Sequence, residues 1–233
     1  GAGADARLLG FKADAEGARV TAEIDGHRLD YRLAQSGVHW GLNSLCVILM
    51  LQALDVSLDT ALQALAGFQP LAGRGQMKTV AIPGGAFTLI DESYNANPLS
   101  MKAGFVSLGA KPVGLGGRRV VVLTDMLELG DHSRALHEGL GPAIAAAGLD
   151  VVHTAGPQMR QLYDILPPSL RGQWRETAAE LAAEAAALVQ PGDVVMVKGS
   201  NGSRAALVAA ALAKLGVAEQ EARVAAEAQG KPA

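Results

Sequence analysis

The chain has 233 residues, 49% of them hydrophobic and 4% aromatic, enough apolar content for one large or two modest cores packed from small and aliphatic side chains. A formal net charge of -3 gives no electrostatic footprint for nucleic acid or a membrane surface. A single cysteine excludes a disulfide framework and no apolar run is long enough to span a bilayer, so the expected compartment is the cytoplasm, without membrane insertion.

In chain order, Val20, Ala22 and Ile24 alternate with polar neighbours, as do Leu29, Tyr31 and Leu33. Asp25-Gly26 between them accepts the positive φ of a tight hairpin turn. Val38 to Leu54 is apolar nearly all round and predicts a buried helix, with Cys46 as a small core residue. A second helix follows, capped by Ser57 and stopped by Gly67. The Gly- and Pro-rich stretch from Gln69 to Gln76 then marks a boundary, giving domains 1–76 and 77–233.

Beyond it, strands are predicted near Thr79 to Ile82, Phe87 to Ile90, Arg119 to Leu123, Asp150 to His153 and Val194 to Val197. Helices are predicted near Pro98 to Gly109, Ser133 to Ala147, Pro157 to Leu166, Ala178 to Val189 and Ser203 to Leu215, and Gly230 to Ala233 are expected to be disordered. The alternation predicts an α/β domain with a mainly parallel, doubly wound sheet. Ligands of such sheets bind beside the carboxyl ends of the strands.

Four segments place polar groups where chemistry would need them. Asp91-Glu92-Ser93-Tyr94-Asn95-Ala96-Asn97-Pro98 joins a strand to a helix, with Asn97 suited to the N-cap and Pro98 to the first helical position. Asp91, Asn95 and Asn97 serve equally well to satisfy a turn. Asp125-Met126-Leu127-Glu128 and Lys198-Gly199-Ser200 also follow strands, and their plain readings are dipole-complementing carboxylates and a tight turn. Gly37-x-His39-x-x-x-Asn43 sets two polar side chains on one face of a helix entrance. Arg74 between glycines fits either a solvated linker or a phosphate contact.

Asp-Glu-Ser-Tyr-Asn-Ala-Asn-Pro-x-Ser-Met resembles the opening of the C-terminal domain of the Mur ligase family, and the other segments resemble family motifs between Ser36 and Arg204. The resemblance implies a Rossmann-like C-terminal domain preceded by the hairpin and helices that end a P-loop-type, ATP-binding central domain. It implies ATP-dependent addition of D-alanyl-D-alanine to a UDP-MurNAc-tripeptide through an acyl phosphate, in a monomer using ATP and Mg2+. His39 and Asn43 would lie near the adenine, Arg74 at the phosphates, Asp91 or Glu92 on the ribose, and Tyr94 along the same cleft. Asn95, Asn97, Asp125, Glu128, His137, Lys198 and Ser200 would bind the peptide substrates, with Arg74 and Lys198 acting catalytically.

No Gly-x-x-x-x-Gly-Lys-Ser/Thr phosphate loop occurs, so the metal ligands are expected in a preceding segment and these residues alone are expected to be inactive. Another Mur-type ligase, adding the third residue or folylpolyglutamate-like, and a non-catalytic nucleotide- or partner-binding module are the alternatives.

Overall fold

A computed structural model describes residues 3–14, 17–35, 37–69 and 71–228, with side chains to residue 220. The disorder expected at Gly230 to Ala233 lies outside the described residues. Two compact units emerge, Gly1–Pro70 and Leu71–Ala233. The division falls ahead of the boundary expected after residue 76. The reason is backbone pairing: the Gly73 carbonyl accepts the Tyr94 N–H and the Gly75 N–H donates to the Asp91 carbonyl, which lace the glycine-rich segment to the second unit.

In the first unit, β1 (Ala6–Asp14), β2 (Gly17–Ile24) and β3 (His27–Leu33) form an antiparallel sheet in that order. Asp25 and Gly26 take φ of 48° and 76°, as a tight hairpin turn requires. The sequence reading had not foreseen β1. Two helices, α1 (Val38–Gln52) and α2 (Leu58–Gly67), close a core of Val20, Ala22, Leu45, Ile48 and Ala61. Ser57 caps α2 by accepting the Thr60 N–H.

Helix α1 is buried on one face only. Gly41, Ser44, Leu45 and Ile48 face the core, and a Cβ on Gly41 would meet the Phe11 ring at 2.8 Å. Val38, Leu42, Cys46 and Met50 are exposed along the opposite face. This corrects the predicted all-round burial and the core placement of Cys46: hydrophobicity was read as burial, but the sheet offers a single face to pack on.

The second unit holds a six-stranded sheet. Its strands are β4 (Gln76–Ile82), β5 (Gly85–Glu92), β6 (Arg119–Thr124), β7 (Val151–Ala155), β8 (Arg171–Arg175) and β9 (Val194–Lys198), in the order β4-β5-β9-β6-β7-β8. The pairs from β5 to β8 are parallel and β4 runs antiparallel at the edge. Its helices are α3 (Pro98–Gly109), α4 (Ser133–Glu138), α5 (Gly141–Ala146), α6 (Met159–Ile165), α7 (Ala178–Ala183) and α8 (Ala205–Ala228). Met101, Phe105, Leu108, Ile144 and Leu162 from α3, α5 and α6 pack on one face of the sheet. Leu181, Val208 and Leu212 from α7 and α8 pack on the other.

Three expectations change. The helix predicted from Ser133 to Ala147 is broken at Gly139-Leu140, where Gly141-Pro142 restarts it with proline in the first turn. The helix predicted from Ala178 to Val189 ends at Ala183 and gives way to a 3-10 turn at Ala185–Ala187. Strand β8, Arg-Gly-Gln-Trp-Arg, was missed because it lacks the β-branched run of the other parallel strands.

This winding creates a switch point. The chain leaves β5 and β6 toward helices on one face, whereas it leaves β9, which lies between them, toward α8 on the other. The carboxyl end of β9 is therefore the place where sheets of this kind take their ligands. Among the described residues no helix is long and apolar enough to cross a membrane.

Candidate active site

Lys198 is the last residue of β9. Its side chain is almost wholly buried, and Nζ donates to Glu92 Oε2 at 3.1 Å and to the Asn95 carbonyl at 3.2 Å. Glu92 is the last residue of β5, so two neighbouring strand tips supply the pair. A buried charge is tolerated when it is paired and hydrogen-bonded, and both conditions hold. Ser200, two residues on, accepts the Leu127 N–H at 2.9 Å and sits 3.4 Å from the Ala96 carbonyl. The loops after β5, β6 and β9 are thus tied to one another.

Close approach makes this possible. A Cβ on Gly199 would lie 1.8 Å from Thr124 Oγ1, and Thr124 is itself bonded to Ser203 at 2.6 Å. Glu128 follows in the loop after β6, exposed and held at φ 62°, a conformation unusual for a residue with a side chain.

Arg74 and Tyr94 form the rim. The Arg74 guanidinium carbon lies 3.8 Å from the centre of the half-exposed Tyr94 ring. Gly73, at φ 73°, lets the backbone pass, since a Cβ there would meet the Tyr94 nitrogen at 2.9 Å.

The model of the "Mur ligase, glutamate ligase domain" family matches residues 73–201. The chain belongs to the Mur ligase family. It is 29% identical to a UDP-N-acetylmuramoyl-tripeptide--D-alanyl-D-alanine ligase of Rickettsia prowazekii, over 85% of this chain and 43% of that one. A UDP-N-acetylmuramate--L-alanine ligase of Salinispora arenicola also matches, at 30% identity over 84% of this chain and 39% of its own. Among solved structures, a crystal structure of MurF from Acinetobacter baumannii superposes with a TM-score of 0.76 and 26% identity, covering 92% of this chain and 46% of that one. MurF ligase from Thermotoga maritima, in complex with ADP, shares the fold with a TM-score of 0.74 at 22% identity, over 91% of this chain and 47% of its own. The chain therefore spans less than half the length of the relatives it matches.

Several residues nominated from the Mur ligase resemblance make hydrogen bonds within the chain. The Asp125 carboxylate accepts the Met159 N–H at 2.7 Å and the Gln158 N–H at 3.3 Å at the start of α6, under Gly156. Burial pushes its carboxyl above the usual range, opposed by those two N–H groups. Fully buried His137 accepts the Met126 N–H at Nε2, and its Nδ1 lies 2.7 Å from the Ser133 carbonyl, so both ring nitrogens are committed. Asn97 caps α3, accepting the Ser100 N–H at 2.8 Å while Ser100 returns the bond to the Asn97 N–H. Asp91 turns back on Ser93, and the Asn95 side chain accepts the Ala96 N–H.

Lys198, Glu92, Ser200, Glu128, Tyr94 and Arg74 gather at or beside the carboxyl edge of the second unit. His39 and Asn43 belong to the first unit, on α1. Asn43 lines a cavity of about 280 Å³ with Trp40, Val47, Leu65 and Phe68, while the His39 ring packs beside Trp40 at 5.6 Å. What the sequence could not show is that Gly199 lies against Thr124, a contact that sets how closely β9 and β6 end together.

Proposed function

We propose that the intact protein is an ATP-dependent amide ligase that joins D-alanyl-D-alanine to a UDP-MurNAc-tripeptide. The observation that carries this reading is the convergence of Glu92, Lys198, Ser200 and the Leu127 amide where strands β5, β9 and β6 end together. The tripeptide carboxylate is phosphorylated by ATP, and the amine of the dipeptide then attacks the acyl phosphate, leaving the amide, ADP and phosphate. Both steps pass through crowded negative charge, which a buried, preoriented cation stabilises without reorganising. Lys198 supplies that cation, fixed by Glu92 and the Asn95 carbonyl.

Glu128, exposed on a loop pinned by Ser200, is the carboxylate placed to meet the dipeptide ammonium. Asp125 and His137 act one layer behind, fixing the loop after β6. Arg74 offers a guanidinium fork to the nucleotide phosphates. Asn43 and the Trp40 wall of the first unit are assigned to the base, with His39 beside them.

Among the described residues no group of three His, Cys, Asp or Glu side chains could hold a metal, so no magnesium ligand is assigned within this chain. With no phosphate loop in its sequence, phosphoryl transfer on this reading also needs residues beyond these 233. Incubating the intact protein with ATP, magnesium, UDP-MurNAc-tripeptide and D-alanyl-D-alanine should yield the pentapeptide product. Acceptance of only a free amino acid, such as the L-alanine named for the Salinispora relative, would replace the dipeptide assignment.

A further inference from the structure

We propose that Tyr94 is a positioning residue for Arg74, so that the pair forms a guanidinium fork preassembled on the second unit for the phosphate oxygens of a nucleotide. This rests on the reading of Arg74 as a phosphate contact. Three observations carry the additional step.

The first is the manner in which Arg74 is held. Its guanidinium carbon stands 3.8 Å from the Tyr94 ring centre, and among the described residues no carboxylate forms an ion pair with it. Stacking on an aromatic face fixes the plane of a guanidinium through its π surface and leaves the in-plane N–H groups available. A carboxylate partner would fix it by consuming those donors. An anion-binding arginine therefore gains more from a ring than from an ion pair.

The second is the backbone beneath. The Tyr94 N–H donates to the Gly73 carbonyl at 3.0 Å, the Gly75 N–H to the Asp91 carbonyl at 2.8 Å, and the Arg74 N–H to the Leu71 carbonyl at 3.0 Å. Arg74 is thus bracketed by bonds to the same turn that carries Tyr94. Its two glycine neighbours take φ of 73° and 91°, which a side chain at either position would resist.

The third is placement. The compact second unit begins at Leu71, so Arg74 and Tyr94 belong to one body and their separation does not depend on how the units are arranged. A residue that reads as part of a loose linker is instead built into the edge of the strand-tip site.

The test compares Tyr94→Phe, which keeps the ring, with Tyr94→Leu, which keeps apolar bulk alone, each with and without Arg74→Ala. In the intact ligase Arg74→Ala should raise the KM for ATP roughly 10- to 100-fold, the size of a lost charge-assisted contact. Tyr94→Leu should raise it roughly 2- to 5-fold, clearly more than Tyr94→Phe, which keeps the ring, and Tyr94→Leu should add nothing once Arg74 is gone. Proton NMR of the 233-residue chain supplies a readout that needs no ligand: the Arg74 Hδ resonances should be shifted upfield by the ring in the wild type and Tyr94→Phe, and lose that shift in Tyr94→Leu.

An unchanged KM in Tyr94→Leu alongside a raised one in Arg74→Ala overturns the positioning role and leaves the phosphate reading standing. An unchanged KM in Arg74→Ala overturns the phosphate reading and this inference with it. An equal penalty for Tyr94→Leu in both backgrounds shows that the ring touches the nucleotide directly and also overturns the proposal.

Discussion

The two units meet the same problem, covering the apolar faces of a sheet and its helices, with unequal completeness. In the second unit the parallel strands are sheathed on both faces, and Val120, Val121, Val122, Val195 and Val197 are buried or nearly so. In the first, α1 buries Leu45 and Ile48 but presents Val38, Leu42, Cys46 and Met50 on its far side, and a cavity of about 280 Å³ lies among α1, α2 and β3. This stripe is apolar surface that the described residues leave uncovered. The contrast separates two kinds of hydrophobic sequence: one whose elements are covered on both sides and one whose helix is covered on a single side.

Removing a ring from the closed core tests the contrast most strongly. Phe105 is fully buried under the sheet, so Phe105→Ala should cost about 3–5 kcal/mol. Chemical denaturation followed by a probe in each unit should show the second unit's transition moving and that of the first staying put. A single transition that moves as a whole would mean that the two cores are energetically one.

A smaller effect comes from His153, buried in β7 with Nδ1 accepting the Gln173 N–H at 2.9 Å and Nε2 without a partner among the described residues. Burial lowers its pKa from 6.5 to about 4. The unfolded chain therefore binds this proton more readily than the folded one. Stability is fully present above pH 6.5 and declines as pH falls toward about 4, by roughly 3 kcal/mol in all. His153→Leu should flatten that slope in the second unit's transition, whatever its effect on stability at neutral pH. A slope unchanged by the substitution would place the titration elsewhere.

The smallest effect belongs to the open face of α1. Leu42→Gln and Met50→Gln, at positions 53% and 59% exposed, should each change stability by less than about 0.5 kcal/mol in chemical denaturation. A loss of 2 kcal/mol or more would show that this face is already covered.

Much of this molecule could be read from its residues wherever local chemistry has one solution. Asn97-Pro98 caps and opens α3, Asp25-Gly26 turns the hairpin, and Thr177 with Glu180 makes the capping box of α7. The parallel order of strands followed from their alternation with helices, and Lys198 was correctly drawn to a strand tip.

What escaped depends on partners distant in sequence. The bonds that Asp125 and His137 accept from the Met159 and Met126 N–H groups cannot be read from the residues around them. Strand β8 is held by its neighbour more than by its own composition. Cys46 looked buried because every residue around it is apolar, and only the position of the sheet decides which side of α1 is covered.

The most direct measurement is ligation by the intact protein carrying Lys198→Met, with circular dichroism confirming that it is folded. If the buried ammonium at the tip of β9 steadies the charge of the transferring group, formation of the D-alanyl-D-alanine amide should fall by at least roughly 10-fold. Undiminished ligation by the folded variant would contradict the assignment of this strand-tip cluster as the reaction site.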